Sequence, residues 1–260
     1  TGFHEIETWM VPVSLADDLR IESADSPGIQ FTCNDPALGA DEDNLAWRAA
    51  DLFLRESTHP SGAIVELYKN IPHGAGLGGG SSDAAAVLVA LNQLTNAPLA
   101  PERLETLAAQ LGSDVPFFIR GIAAMARGRG EILEPCPLPR DLDLLLLKPP
   151  FAVETASAYR EWSAGRRCPE TWGAPQLRDG VEIFNDLERP VFAKFLLLPV
   201  IKQWLLDHSL VAGAAMTGSG SCLFAVLRDP RGAAQLADEA KAEFGDTLWT
   251  CACRSTAQGG

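Results

Sequence analysis

Positive charge is scarce in this chain. Its 260 residues carry 21 lysines and arginines against 34 aspartates and glutamates, which gives a formal net charge of −13. A general nucleic-acid binder needs a basic face to neutralise phosphates, so the composition argues against that class of protein. A small anionic nucleotide stays compatible with the sequence, because local dipoles can hold it inside an acidic protein.

Long apolar runs and cysteines at zinc-binding spacing are also missing. No stretch approaches the length that spans a bilayer, and no signal peptide is visible. The six cysteines are scattered, and only Cys251 and Cys253 are close, at a spacing that suits zinc poorly. We therefore expect reduced thiols in a cytoplasmic protein with neither a membrane nor a nucleic acid as its partner.

Helix and strand patterns alternate along the chain without strict βαβ regularity, which predicts an α+β fold. The expected helices begin near Glu42, after the serines at 81 and 82, at Pro101, near Pro190 and near Gly232. The expected strands include Ala63 to Tyr68, Leu144 to Leu147 and Thr247 to Cys253. A proline-rich polar run from Pro135 to Asp143 predicts a boundary between domains of residues 1–140 and 141–260.

The helix after the two serines is expected to have a capped start and one apolar face. Ser81 or Ser82 can cap it, and Asp83 in its first turn complements the helix dipole. Its buried stripe is predicted to consist of Val87, Leu88, Leu91 and Leu94.

A glycine-rich segment, PHGAGLGGGSS at residues 72–82, precedes that helix. A Walker A loop is excluded because no lysine precedes Ser81. The dinucleotide fingerprint matches formally at Gly74, Gly76 and Gly79, but no convincing acidic partner follows about 20 positions later. The remaining alternatives are a turn needed only for packing and a longer anion loop. In the anion loop, backbone N–H groups, a helix N-terminus and serine hydroxyls would surround a phosphate.

Six segments in this order resemble motifs of the GHMP kinases, which are named for galactokinase, homoserine kinase, mevalonate kinase and phosphomevalonate kinase. Within that superfamily the chain most resembles the 4-diphosphocytidyl-2-C-methyl-D-erythritol kinase family. The segments are TGFHEIET, DNLAWRAA, KNIPHGAGLGGGSSDAAA, LGSDVPFFIRG, MARGRGEIL and TGSGSCLFAV. The resemblance covers nearly the whole chain and weakens between Trp162 and Leu187.

The resemblance implies an α+β, two-domain GHMP kinase fold. Its N-terminal α/β domain would be of the ribosomal protein S5 domain 2-like type, and a ferredoxin-like C-terminal domain would close over the substrate. The implied activity is ATP- and Mg²⁺-dependent phosphorylation of the 2-hydroxyl of the family's small-molecule substrate, a cytidine diphosphate derivative of methylerythritol. The alternatives are another GHMP small-molecule kinase and a silent nucleotide-binding protein. We expect a monomer or a weak homodimer.

The resemblance assigns most of the implied ATP contacts to the glycine-rich segment. These contacts are Pro72, His73, Gly74, Ala75, Gly76, Leu77, Gly78, Gly79, Gly80, Ser81 and Ser82. Lys69, Asn44 and Leu45 match positions near the adenosine pocket, although Lys69 could equally be a solvated strand end. Ser82 is also the implied hydroxyl ligand of the metal ion.

Asp114 matches the family's catalytic aspartate, which accepts or orients the proton of the attacking hydroxyl. The alternative is that Asp114 only caps the turn ahead of Val115 and Pro116. Gly218 and Gly220 match the family's second glycine motif and would let that backbone lie against the phosphate loop and the substrate. They could also form no more than a tight turn.

Three residues match the family's cytosine site. Phe3 and Tyr159 would sandwich the ring, and His4 would hydrogen-bond its edge. On the bare sequence, Phe3 fits a core position and His4 an exposed one. The family also carries a catalytic lysine upstream of the segment that TGFHEIET resembles. From a sequence that begins at Thr1 we expect either a shortened form of a normal kinase or a chain without catalysis.

Overall fold

A computed structural model describes residues 5–39, 42–57, 61–95, 98–165, 172, 174–178 and 181–256. The chain divides into two compact units. The first unit consists of Thr1–Ile71, Gly78–Arg140 and Thr256–Gly260, and the second of Pro72–Leu77 and Asp141–Ser255. The predicted domains of residues 1–140 and 141–260 stay a prediction, and residues 72–77 and 256–260 are grouped otherwise in these units. The exception at 72–77 arises because these residues pack against a turn of the second unit.

The first unit contains two three-stranded sheets. One is antiparallel and has the order β1 (Ile6–Met10), β5 (Ala124–Gly128), β6 (Ile132–Pro135). The other has the order β2 (Asp18–Ala24), β4 (Gly62–Tyr68), β3 (Gly28–Cys33). In this second sheet β4 is central, antiparallel to β2 and parallel to β3. Strand β4 therefore leads directly into the glycine-rich segment.

The helices of the first unit are α1 (Leu45–Glu56), α2 (Gly79–Leu94), α3 (Pro101–Leu111) and α4 (Val115–Arg120). Helices α1 and α2 pack on each other around Phe53, Val87, Leu88 and Leu91, all fully buried. The predicted stripe on α2 is therefore confirmed except at Leu94. That residue is the last of the helix and is 48% exposed, because it lies beyond the packed part of the face.

The second unit is built on an antiparallel sheet with a leucine-rich central strand. The sheet has the order β10 (Val211–Met216), β11 (Leu223–Leu227), β7 (Asp143–Lys148), β12 (Trp249–Arg254). A short hairpin consists of β8 (Gln176–Arg178) and β9 (Val181–Ile183). The helices are α5 (Thr155–Ser163), α6 (Glu188–Lys194), α7 (Leu197–Asp207) and α8 (Ala233–Phe244). Leu145 and Leu147 of β7 share one core with Leu198, Ile201 and Leu205 of α7.

Short 3₁₀ turns also occur within the described ranges, at Pro36–Leu38 and Pro230–Gly232. The first unit has one antiparallel and one mixed sheet, and the second has an antiparallel sheet flanked by helices, so the predicted α+β class is confirmed.

Candidate active site

Helix α2 begins without a side-chain cap. Its N-cap is Gly78, whose φ of 71° lies in the left-handed region that favours glycine, and a Cβ there would lie 2.8 Å from the ring of Phe118. Prediction of Ser81 or Ser82 as the cap is therefore wrong, because both already lie inside the helix. No side chain therefore accepts a hydrogen bond from the N–H groups of the first turn, which lie at the positive end of the helix dipole.

The first half of the glycine-rich segment lies against the turn between β10 and β11. Thr217 Oγ1 donates a hydrogen bond to the carbonyl of Gly76, and Cys222 N donates to the carbonyl of Ala75 over 3.2 Å. A Cβ on Gly76 would overlap the carbonyl oxygen of Thr217, so the close approach requires glycine. At Gly218 a Cβ would come within 2.9 Å of the Gly76 carbonyl oxygen. The structure thus brings the two glycine motifs together.

The residues around this contact differ in their exposure to solvent. His73 and Gly218 are exposed, whereas Ala75 and Gly220 are buried. At Gly220 a Cβ would lie 2.7 Å from the sulfur of Met216, so this glycine serves close packing under the turn.

Two polar side chains that the sequence did not single out support the second glycine turn. Asn185 Nδ2 donates to the carbonyl oxygens of Met216 and Gly218 over 2.8 and 2.7 Å. Glu188 Oε1 accepts a 2.8 Å hydrogen bond from the backbone N–H of Met216, and Glu188 Oε2 pairs with Lys202 Nζ at 2.6 Å. Asn185 lies where the resemblance weakens, so the sequence held no signal for it.

Asp114 lies immediately before α4 and makes no capping hydrogen bond. The alternative role as a helix cap is therefore wrong. A Cβ on Gly130 would lie 3.5 Å from Asp114 Oδ1, so the carboxylate lies beside the turn between β5 and β6. Part of Asp114 is accessible to solvent, but the protein atoms around its carboxylate desolvate it and raise its pKa. Within the described part of the chain it has no ionic or hydrogen-bonding partner.

Lys69, Asp17 and Asp83 form a buried cluster beside the start of α2. Lys69 Nζ donates to Asp17 Oδ2 and, over 2.7 Å, to Asp83 Oδ2. The side chain of Lys69 is 7% exposed, so its description as a solvated strand end is wrong. Asp83 is the fifth residue of α2, outside its first turn, and its main interaction is with Lys69 and not with the helix dipole.

Burial determines the electrostatics of this cluster. Desolvation raises the pKa of Asp83 to about 7, and its hydrogen bond with Lys69 only partly offsets that effect. Desolvation lowers the pKa of Lys69, but hydrogen bonds to Asp17 and Asp83 outweigh it and raise that pKa overall. The raised pKa of Lys69 favours its ammonium form, whereas the raised pKa of Asp83 favours protonation of that carboxylate.

The remaining predicted residues are positioned as follows. Asn44 is buried and caps α1 through a 3.0 Å hydrogen bond from Ala46 N, and Leu45 lies 3.5 Å from the position of a Cβ on Gly80. Tyr159 is half-buried on α5. Phe3 and His4 lie outside the described residues.

In the described ranges, no group of three or more histidine, cysteine, aspartate and glutamate side chains could hold a metal ion. Across the same ranges, no helix combines the length and the apolar character needed to cross a bilayer.

Comparison with protein families gives two matches. The model of the GHMP kinases N terminal domain matches residues 44–122, and the model of the GHMP kinases C terminal matches residues 173–246. The first match contains the glycine-rich segment and Asp114, and the second contains the turn between β10 and β11.

Individual relatives agree with these matches. The chain is 42% identical over 255 residues to 4-diphosphocytidyl-2-C-methyl-D-erythritol kinase of Methylacidiphilum infernorum, with 95% of this chain and 87% of that protein covered. A crystal structure of 4-(cytidine 5'-diphospho)-2C-methyl-D-erythritol kinase is 35% identical, with a TM-score of 0.79 over 97% of this chain and 91% of that one. The homoserine kinase of Cytophaga hutchinsonii, at 19% identity, shares the fold with a TM-score of 0.71 over 96% and 90%.

Proposed function

The chain belongs to the GHMP kinases and, within them, to the 4-diphosphocytidyl-2-C-methyl-D-erythritol kinase family, and we propose its reaction from that membership. The chain transfers the γ-phosphoryl group of ATP to the 2-hydroxyl of 4-diphosphocytidyl-2-C-methyl-D-erythritol. A bond forms between that hydroxyl oxygen and the γ-phosphorus, the bond from the γ-phosphorus to the β,γ-bridging oxygen breaks, and ADP leaves. The hydroxyl proton passes to a carboxylate.

The uncapped start of α2 is the observation that carries this proposal. Because the left-handed Gly78 begins the helix and no side chain caps it, the N–H groups of Gly79, Gly80 and Ser81 can donate to phosphate oxygens. The residues from Pro72 to Leu77 add further backbone donors before that turn. Phosphoryl transfer depends mainly on position and charge neutralisation, which this backbone supplies without a Walker lysine.

A divalent metal ion accompanies ATP in this family, and we propose Mg²⁺. When bound, the ion would offset the negative charge of the phosphates. From the protein, the hydroxyl of Ser82 on the first turns of α2 is the proposed ligand.

Asp114 is the proposed general base. Asp114 is an exposed residue, its carboxylate has no ion pair within the described residues, and that carboxylate lies beside Gly130 in the turn between β5 and β6. Desolvation raises its pKa, so the carboxylate holds a transferred proton more tightly than an ordinary aspartate would.

The substrate contacts are proposed from the resemblance alone. Phe3 and Tyr159 would sandwich the cytosine ring, and His4 would bond its edge. Gly218, exposed at the tip of the second turn, would leave space for the substrate beside the loop. A cytoplasmic location and a monomeric or weakly dimeric state complete the proposal.

Turnover of 4-diphosphocytidyl-2-C-methyl-D-erythritol with ATP and Mg²⁺ tests this function. The assay should use the chain as given and also a chain with any residues encoded upstream of Thr1. We expect ADP and a phosphorylated product in equal amounts. Phosphorylation of homoserine or mevalonate instead would reject the substrate, and ATP binding without turnover in both chains would favour the silent binder.

Asp114→Asn tests the proposed base. Loss of the proton acceptor should lower the turnover number by about 100-fold or more, while ATP affinity changes by less than about twofold. Steady-state rates and calorimetric titration with ATP would measure the two effects. An unchanged rate would remove Asp114 from the mechanism.

A further inference from the structure

We propose that Asp17, Lys69 and Asp83 form a clamp that fixes the two ends of the glycine-rich segment relative to each other, and so positions that segment for a triphosphate. The inference rests on the proposed function of the segment. It assigns Lys69 a positioning role in place of the adenosine contact that the resemblance implies, and it gives a role to Asp17, which lies in none of the motifs.

The N-terminal end of the segment is held by Asp17. Its Oδ1 accepts hydrogen bonds from the backbone N–H groups of Asn70 and Ile71 over 2.6 and 2.8 Å, and its Oδ2 accepts from Lys69 Nζ. The backbone N–H of Lys69 also donates to Asn34 Oδ1 over 2.7 Å. The three residues before Pro72 are therefore tied to two other parts of the first unit.

The C-terminal end of the segment is held through Asp83. This residue lies on α2, and its Oδ2 accepts from Lys69 Nζ over 2.7 Å. A Cβ on Gly79 would lie 3.3 Å from that same Nζ, so the ammonium sits directly beside the first residue of the helix. A single ammonium thus links the chain just before the segment to the helix just after it.

The composition of the cluster indicates a role other than stability. Two carboxylates share one ammonium, and the side chains of Asp17, Lys69 and Asp83 are only 1%, 7% and 3% exposed. Asp83 Oδ1 is buried and finds no hydrogen-bond partner in the described part of the chain. Buried charges that are unevenly matched, together with an unpaired polar atom, cost stability that apolar side chains would not.

Fixing the ends of a loop favours binding because less conformational freedom is lost when the ligand arrives. In the chain with the clamp, Lys69 and the start of α2 already hold their positions relative to each other before the phosphates bind. Without the clamp, the glycine-rich segment must be ordered at the time of binding. The affinity of the chain for phosphates then falls, while its affinity for a nucleoside does not.

The experiment measures the affinities of inorganic tripolyphosphate with Mg²⁺ and of adenosine separately. The variant is Lys69→Met/Asp83→Asn, which removes the ammonium and one carboxylate charge together and leaves Asp17 with its two backbone donors. We expect tripolyphosphate affinity to fall by at least about tenfold, the loss expected when one or two residues are ordered on binding, and adenosine affinity to stay within about twofold.

Two further variants keep this test decisive. Leu107→Ala removes a fully buried side chain of α3 and lowers stability without touching the clamp, so its folded fraction should bind tripolyphosphate normally. Asp17→Asn keeps the shape of the side chain, but its single oxygen cannot accept both from Lys69 Nζ and from the two backbone N–H groups, so it decides the matter if the double variant does not fold. Its tripolyphosphate affinity should fall by about threefold or more, because bonds to a carboxylate are roughly twice as strong as bonds to a neutral oxygen.

Each other outcome overturns the clamp. Unchanged tripolyphosphate affinity in a folded clamp variant, or a loss no larger than in Leu107→Ala, reduces the cluster to a structural role. A loss confined to adenosine identifies Lys69 as a direct nucleoside contact. If the unsubstituted chain binds ATP, these results reject the clamp alone, whereas a failure of that chain to bind ATP or tripolyphosphate rejects the proposed function as well.

Discussion

The two units each bury a lysine with carboxylate partners, and the two clusters are built differently. In the second unit Lys202 pairs with Glu188 alone, and the ammonium also donates to the carbonyl of Trp172. The second oxygen of Glu188 accepts the backbone N–H of Met216, so both carboxylate oxygens are satisfied. In the first unit one ammonium serves Asp17 and Asp83, and one oxygen of Asp83 is left without a partner in the described residues.

Both clusters are buried, so burial alone does not determine the role of an ion pair in this chain. A balanced and fully hydrogen-bonded pair fixes the position of the backbone it touches, in this case just before the second glycine turn. An unbalanced cluster remains responsive to pH, because one of its carboxylates can take up a proton to restore neutrality. Three substitutions can break or sharpen this contrast.

Lys202→Met should have the largest effect. It leaves Glu188, whose side chain is fully buried, as an unpaired charge, and the free energy of unfolding should fall by about 3–5 kcal/mol. Urea denaturation near neutral pH would measure the loss. The matched control is Glu188→Gln/Lys202→Met, which keeps an acceptor for Met216 N and should recover most of the stability. A loss below about 1 kcal/mol in the single variant would contradict the assignment.

Asp83→Asn should have a smaller effect that depends on pH. Desolvation raises the pKa of Asp83 from 3.8 to about 7, so the folded chain holds a proton that the unfolded chain has released. The stability from this proton is full below about pH 4 and is lost as the pH rises through about 7. The free energy of unfolding of the variant minus that of the unsubstituted chain should therefore increase by at least about 1.4 kcal/mol between about pH 5 and pH 8.

Urea denaturation at both pH values measures this difference. The pKa values of Glu188 and Asp114 are also raised, chiefly by desolvation, but both groups are present in both proteins and their contributions cancel. A difference in stability that does not change with pH would show that Asp83 stays ionised throughout, and the contrast between the two clusters would then lose its basis.

Arg55→Gln should have the smallest effect. Arg55 pairs with Asp51 at 2.9 Å on the surface of α1, and its side chain is 74% exposed. Exposed pairs of this spacing contribute less than about 0.5 kcal/mol, so the urea midpoint should hardly move. If the free energy of unfolding fell by more than about 1 kcal/mol, the contribution of an ion pair in this chain would not depend on its exposure as expected.

Local signals made much of the fold predictable. Pro101 lies at the first position of α3, as the sequence predicted, because its fixed φ suits the start of a helix. The glycine-rich segment likewise predicted a loop before a helix. The leucine-rich run of β7 predicted a buried strand, and the structure confirms it.

Contacts distant in sequence were not predictable in this way. Asp17 and Lys69 are 52 residues apart, and no short-range pattern connects them. Ser81 and Ser82 have the residue type of helix caps, but the left-handed Gly78 begins the helix before them. The resemblance drew attention to Asp114, whereas the hydrogen bonds of Asn185 to the second glycine turn depend on how α6 packs, which no motif records.

The bonds from Asp17 to the backbone of Asn70 and Ile71 have a consequence for protein engineering. Transplanting residues 69–83 into an unrelated scaffold would carry the glycines, the helix start, Lys69 and Asp83, but it would leave behind the carboxylate that anchors the beginning of the graft. A donor fragment that includes β2 and the residues just before it would retain that anchor.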